Sequence, residues 1–528
     1  MKNRHLRVIC SGKSAIPIDP RQTGEICARP SNLLFLDVSK NATEVVATAK
    51  RELTEFGIAL AEMATRCYRN GIGAGEEGNF MTTRTRRIAI VGNPWENVVA
   101  QSGGSMVIIA SGFAHHLPPG WRVTLYGRRL PGQKRRETDA ETIEIRRFSV
   151  IHKPHVLLQT LLGILACYTK RRIGYPLSYF YHMFYALRVA LNIRASRHDV
   201  VIVHNFLQFA SIIKLLNPSA TVCLSMHSEW LSHYAAAGTE RRLHDLDLII
   251  GCSEYITEPI RKCFPGIAAK CHTVYDGVDV TRFCPAPGGS MPSDGTKRLL
   301  YVGRLVPEKG VHILIRAFKI LAESRPMLRL DLVGLTHRNP YLFVCPDLKD
   351  PAIESMVEAF FGNQLSEMVR KQLTQGSQSY LDNLAALAGG DERIAFRGAV
   401  SHAETIDFYR RAAMLVFPSV WQEPSGFPTF EAQACGIPVV STFSGGIPEY
   451  VENGQTGILV IRGDAEELAQ AISQIIDDPG LARAMGEAGR RRAIEHFSLD
   501  VMSRRIVDLI ESLSPADGGQ HNILDGRA

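Results

Sequence analysis

No C-x-x-C pair occurs among the eleven cysteines of this 528-residue chain, which argues against zinc-ribbon and dithiol redox chemistry. Thiols such as Cys223 and Cys252 stand singly in apolar runs and read as buried free cysteines of a reducing cytoplasm. No apolar stretch is long enough to cross a bilayer. The longest, residues 156–168 (VLLQTLLGILACY), contains Gln159 and Thr160. The opening MKNRHLRVICSGKSAIP is basic but has no adequate apolar run, so no secretory leader is expected. Charge is nearly balanced, with 60 basic against 53 acidic side chains. No arginine-rich stripe is interleaved with aromatics, and nucleic acid is not expected as a partner. The glycines after the first apolar strand lack G-x-G-x-x-G spacing, which counts against a dinucleotide-dependent dehydrogenase.

What is present is alternation. Short β-branched runs alternate with longer helical stretches, the pattern of βαβ units and parallel sheets. A first block offers strands at Ile88–Val91, Val123–Tyr126, Val200–Val203, Val222–Ser225 and Leu248–Gly251. A second offers Leu299–Val302, Arg329–Val333, Ile394–Arg397, Leu415–Pro418 and Val439–Ser441. Between them CPAPGGSMPSDGTK, residues 284–297, reads as a linker. The expected fold class is α/β: two Rossmann-like, doubly wound halves facing across a cleft, with ligands at the carboxyl ends of the strands.

Residues 421–450 carry the most chemistry. Glu423 precedes Pro424 and should sit in a non-helical loop. Glu431 falls in TFEAQACG, a short helix closed by Gly436. The backbone N–H groups of Gly426, Phe427 and Thr429 are expected at the positive end of that helix, where a phosphate can bind. Acceptors for hydroxyls and donors for oxyanions suit a polyhydroxylated, phosphate-bearing ligand. In LLYVGRLVPEKGVHILIRAF, Arg304 and Lys309 flank a strand-to-helix turn and suit a diphosphate. Glu308 reads as orienting Lys309 or the loop. Gly103 and Gly104 precede a helix in the first block and permit close approach of an anion. His227 follows a strand in SMHSEW and should point into the cleft, with His204 a weaker candidate.

The pair Glu423 and Glu431 with its flanking residues resembles the E-x7-E signature of retaining glycosyltransferases of the GT-B fold, most closely family 4. Arg304 and Lys309 resemble the G-R-x-x-x-E-K-G motif of that family, and TVYDGVDVTRFCP resembles a strand-exit segment usually written Asn-Gly-Val-Asp, with Asp276 replacing the Asn. The resemblance covers about residues 85–515. It implies a nucleotide diphosphate sugar as donor and an acceptor hydroxyl, with retained configuration. It implies that Glu423 contacts the donor sugar and Glu431 the ribose. Arg304 and Lys309 then neutralise the departing diphosphate, His227 lies beside the sugar, and Val400 in IAFRGAV lies where the backbone holds the base. Asp276 is taken as structural rather than catalytic, and no single carboxylate across the reactive face is evident. No cofactor is expected. No D-x-D pair stands at a strand end near these motifs, so a metal-independent reaction is expected too.

The domain reading places an extension of uncertain structure at 1–83 and the first half at 84–284 with a crossover helix near 497–515. A linker follows at 285–297, the second half at 298–496 and a disordered tail at 516–528. Met81 resembles the usual start of the first half, and the upstream segment reads either as an appendage or as lying before the real start. Residues 337–390 are an insertion relative to the family pattern. Lys170, Arg171 and Arg172 among tyrosines suit contact with an anionic membrane face, hence a lipid-linked or saccharide acceptor in surface glycan synthesis. The rivals are a nucleotide-sugar 2-epimerase of the same fold and a non-catalytic sugar-nucleotide-binding protein.

Overall fold

The computed structural model describes residues 85–94, 98, 104–149, 182–233, 238–287, 295–335 and 378–513. The extension over 1–83, Gly103, the cluster Lys170–Arg172, most of the 337–390 insertion and the tail from 516 lie outside these residues.

Eight strands form the first sheet: β1 (Arg86–Val91), β2 (Trp121–Arg128), β3 (Arg136–Ala140), β4 (Ile143–Phe148), β5 (Val200–His204), β6 (Thr221–Met226), β7 (Leu248–Gly251) and β8 (Cys271–Thr273). Their order is β3-β4-β2-β1-β5-β6-β7-β8, parallel except for the antiparallel β3–β4 pair. Six strands form the second: β9 (Lys297–Val302), β10 (Leu328–Val333), β11 (Ile394–Gly398), β12 (Met414–Phe417), β13 (Val439–Thr442) and β14 (Gly457–Val460). Their order is β11-β10-β9-β12-β13-β14, parallel throughout. The central strands are buried on both faces and read as unbroken apolar runs, VVIVH in β5 and MLVF in β12. The α/β class of two parallel-sheet halves is therefore as the alternation implied. Lys297 already belongs to β9, one residue inside the expected linker.

The longer helices are α1 (Ser105–His115), α2 (Met183–Ala195), α3 (Leu207–Leu216), α4 (Glu254–Cys263), α5 (Val311–Ala322), α6 (Gln378–Ala388), α7 (His402–Arg411), α8 (Phe427–Ala434), α9 (Ala465–Asp477), α10 (Pro479–His496) and α11 (Leu499–Ser512). Several starts follow from capping. Ser401 and Glu404 form a capping box on α7, and Asp464, Asp478 and Ser498 cap α9, α10 and α11. Between α10 and α11 the chain pairs Leu499 N with Val278 O and Val278 N with Phe497 O. It then lays Leu499, Met502, Ile506 and Ile510 against Ile109 and Phe113 of α1 in the first half's core.

In both sheets the strand order reverses, at β1/β5 and at β9/β12. Loops leaving adjacent strands diverge at that point, the place where open α/β sheets take ligands. The halves touch beside it. Ser253 stands at the N-cap of α4 but makes no side-chain cap. Its hydroxyl donates instead to the Pro424 carbonyl at 2.6 Å. Capping passes to Glu449 of the second half, whose carboxylate accepts the amides of Glu254 at 2.7 Å and Tyr255 at 2.8 Å. Glu449→Ala should therefore cost about 1 kcal/mol, the scale of a lost N-cap. Urea denaturation reads this as a lower midpoint, and an unchanged midpoint would deny the bridge any weight.

Candidate functional site

Gly310 closes the turn after Lys309 with φ +67°, and a Cβ there would lie 2.0 Å from the Pro418 carbonyl oxygen. Only glycine lets this loop press against the end of β12. The Glu308 carbonyl accepts the amides of Val420 and Trp421, both at 3.0 Å, which knits the loops after β9 and β12. The knit brings Lys309 Nζ to 2.5 Å from Glu423 Oε1, and the Ser419 hydroxyl donates to the same oxygen at 2.5 Å. Glu423 is non-helical, as its place before Pro424 implied. Gly445, φ +53°, packs so tightly on it that a Cβ would meet the Glu423 carbonyl oxygen at 2.2 Å. Arg304 is about half exposed and lies 3.5 Å from the buried Glu308 carboxylate. Glu308 thus braces the loop and pairs with Arg304, whereas its expected alternative partner, Lys309, belongs to Glu423. Burial first, and Glu423 beside it, push the Glu308 carboxyl above its ordinary range, against the pull of Arg304 and Lys309.

Glu431 sits in α8 and is buried, with one carboxylate oxygen bonded to the His402 ring and the other accepting the Tyr409 hydroxyl at 2.7 Å. Gly426 is the N-cap of α8 with φ +69°, and Phe427 begins the helix. Thr429 departs from expectation. Its amide is spent on the Gly426 carbonyl at 2.8 Å, and Pro428 has none, so the donors at this end reduce to Gly426 and Phe427. Val400 is half-buried against the second half's core. Gly104 is the exposed N-cap of α1.

In the first half His227 leaves β6 as expected. Its Nε2 lies 3.0 Å from Ser225 Oγ and 3.1 Å from His204 Nδ1, and its amide donates to Asn205 Oδ1 at 2.6 Å. His204 is a neutral member of this group: burial, then His227, press its pKa down to about 3. On the other edge His227 Nδ1 lies 3.2 Å from Asp276 Oδ1. The angle falls short of a good hydrogen bond, and Nδ1 has no other partner among the described residues. Cys252 Sγ joins these two, all three donor atoms within 4.8 Å of one another. Burial, then Asp276, push the Cys252 thiol well above its ordinary range, which keeps it neutral and a poor metal ligand.

Glu229, two residues past His227, was not singled out in the sequence. It is buried and bonded to the Tyr255 hydroxyl. Its carboxyl is pushed up, mainly by burial and further by Glu423, against the pull of Tyr255 and His233. The first half therefore supplies a carboxylate on the side of Glu423. Position was the available signal, since Glu229 follows a strand end beside a histidine. His402, Tyr409 and Ser419 carried no signal, because their importance lies in which carboxylate they reach.

Among the described residues no helix is long and apolar enough to cross a membrane. Two family models match, one described as glycosyl transferases group 1 over residues 290–492 and one as glycosyltransferase family 4 over 112–282. Together they span well over half of the chain. A relative with 32% identity over 269 residues is the D-inositol 3-phosphate glycosyltransferase of Streptomyces avermitilis, with 50% of this chain and 51% of that protein covered. This chain thus spans about half the length of that protein. Among solved structures, sucrose-phosphate synthase from Thermosynechococcus elongatus superposes with TM-score 0.55 at 22% identity, over 81% of this chain and 99% of its own. Anabaena HepE in complex with UDP and glucose gives 0.54 at 19%, over 80% and 99%.

Proposed function

Because the chain belongs to the group 1 glycosyltransferases of GT-B fold, we propose that it moves a sugar from a nucleoside diphosphate sugar to an acceptor hydroxyl with retained configuration. The observation that carries this reading is the knitted pair of loops after β9 and β12. They hold Arg304, Lys309 and Glu423 on two joined loops, the second of which runs on into the Gly426 and Phe427 end of α8. Arg304, Lys309 and the helix end meet the diphosphate, and positive groups there gain most as the leaving group takes up charge. No metal is assigned this task. Glu423 accepts sugar hydroxyls, and Glu431, with His402 and Tyr409 holding it, accepts ribose hydroxyls. The acceptor hydroxyl attacks the anomeric carbon on the face the leaving group departs from. The bond from that carbon to the phosphate oxygen breaks, and the acceptor proton passes to that oxygen. A UDP donor is favoured by the HepE complex, and a saccharide or lipid-linked acceptor at the cytoplasmic membrane face by the basic, tyrosine-rich segment near Lys170.

A thermal-shift series with UDP, GDP and ADP tests the donor side. A nucleotide at 100 times its Kd should add about 2.7 kcal/mol and raise Tm measurably. No shift with any of the three would remove the donor assignment. Conversion of a nucleotide sugar without an acceptor would replace transfer by epimerisation.

A further inference from the structure

The sequence pattern treats position 276 as a turn residue for which Asn is usual, yet here an aspartate carboxylate is buried against the histidine that follows β6. Asp276 is 3% exposed and His227 9% at the side chain. A buried carboxylate and a buried imidazole cost least when they are paired. The backbone holds both from two sides. The Asp276 amide donates to the Tyr450 hydroxyl at 3.0 Å, and that hydroxyl donates to the Cys252 carbonyl at 2.7 Å. The His227 amide is tied to Asn205.

We propose that Asp276 is a positioning residue for the transfer reaction, holding the proton of His227 on Nδ1 and keeping a net negative Asp–His pair at the carboxyl end of β6. The inference rests on the glycosyltransferase reading for its catalytic part. A carboxylate only accepts, and Asp276 Oδ1 lies 3.2 Å from Nδ1, an atom with no hydrogen-bond partner among the described residues, so the ring proton is placed on Nδ1. Nε2 is then an acceptor for Ser225 or the neutral His204, which fits their distances of 3.0 and 3.1 Å. One tautomer and one ring orientation result. By the glycosyltransferase reading the pair faces the sugar, whose anomeric carbon gains positive charge as its bond to phosphate breaks. An asparagine at 276 keeps the turn but removes that charge. The titratable groups facing the pair are His204 from β5, Cys252 from the end of β7, and Tyr450 and Glu449 from the second half. Burial pushes the Cys252 thiol and the Tyr450 hydroxyl up, so both stay neutral beside the pair.

The test uses Asp276→Asn, which keeps size and the amide bond to Tyr450, with His227→Gln and the double variant. In [13C]histidine-labelled full-length protein, the resonance lost in His227→Gln reports His227. In the parent its ring-carbon shifts should mark the Nδ1–H tautomer, and in Asp276→Asn they should move to a mixture of the two tautomers. The kcat should drop roughly tenfold. UDP affinity should hold, and the double variant should lose no more than His227→Gln alone. An unmoved His227 tautomer signature or additive losses would overturn the proposal. So would stoichiometric zinc in the purified protein that Asp276→Asn no longer holds, because the trio would then be a metal site. The NMR measurement needs no turnover, so failure of the glycosyltransferase reading leaves it able to decide the pairing by itself.

Discussion

Lys309→Ala is expected to lower kcat by about 10²-fold or more, the scale of a lost electrostatic donor at a charge-developing oxygen. The loss has two sources that can be separated. The Nζ group serves the departing diphosphate, and it also neutralises Glu423, to which it is held at 2.5 Å with both side chains largely buried. Removing one partner leaves a buried charge uncompensated, a destabilisation of about 3–5 kcal/mol in comparable pairs. The Ser419 hydroxyl keeps one bond to the carboxylate and softens this. The double variant Lys309→Ala with Glu423→Gln should recover much of the stability and none of the turnover. Denaturation midpoints and steady-state kinetics on the four proteins of the cycle give the answer. Full activity in a folded Lys309→Ala protein would refute the role, and so would recovery of kcat in the double variant.

Glu431→Ala should weaken UDP binding by about 1.5–3 kcal/mol, the range of hydrogen bonds to a charged group. Glu423→Ala should leave UDP affinity close to that of the parent and lower sugar transfer instead. The structure adds a consequence for stability. Glu431 holds the His402 ring and the Tyr409 hydroxyl, so alanine strands a half-buried and a buried polar partner. Stranding each costs about 1–3 kcal/mol. Tyr409→Phe removes one partner and keeps the carboxylate, so it should cost less and leave UDP binding nearly intact. Calorimetry with UDP alone separates the roles. Equal losses of UDP affinity in the Glu431 and Glu423 variants would refute the division.

Much of this was legible in one dimension because the signals are local. Ten strands were read within a few residues of their places, since a strand buried on both faces must be an unbroken β-branched run. Glu423 before Pro424, Gly310 after Lys309 and Gly436 after α8 announce their backbone states by residue type alone. The missed strands fail that test. β3, RETDA, is exposed and charged, β4, IEIRRF, alternates apolar with charged residues, β8 has three residues, and β14 is four residues starting at a glycine. Each exists because a neighbouring strand offers a free edge, a property of the sheet and not of the segment.

The sequence by itself determined the α/β class, the family pattern, the loop carrying Arg304 and Lys309, and the helix carrying Glu431. Tertiary structure alone decided the pairings. Lys309 meets Glu423 across 114 positions and Tyr409 meets Glu431 across 22, because the strand order reverses between β9 and β12. Glu449 caps a helix 195 residues away, and Asp276 becomes the neighbour of His227 through a turn that any Asn would also have made. The physical reason is common to all of them. Backbone preference is set within a few residues, whereas the partner of a buried charge is set by which strand ends the fold brings side by side.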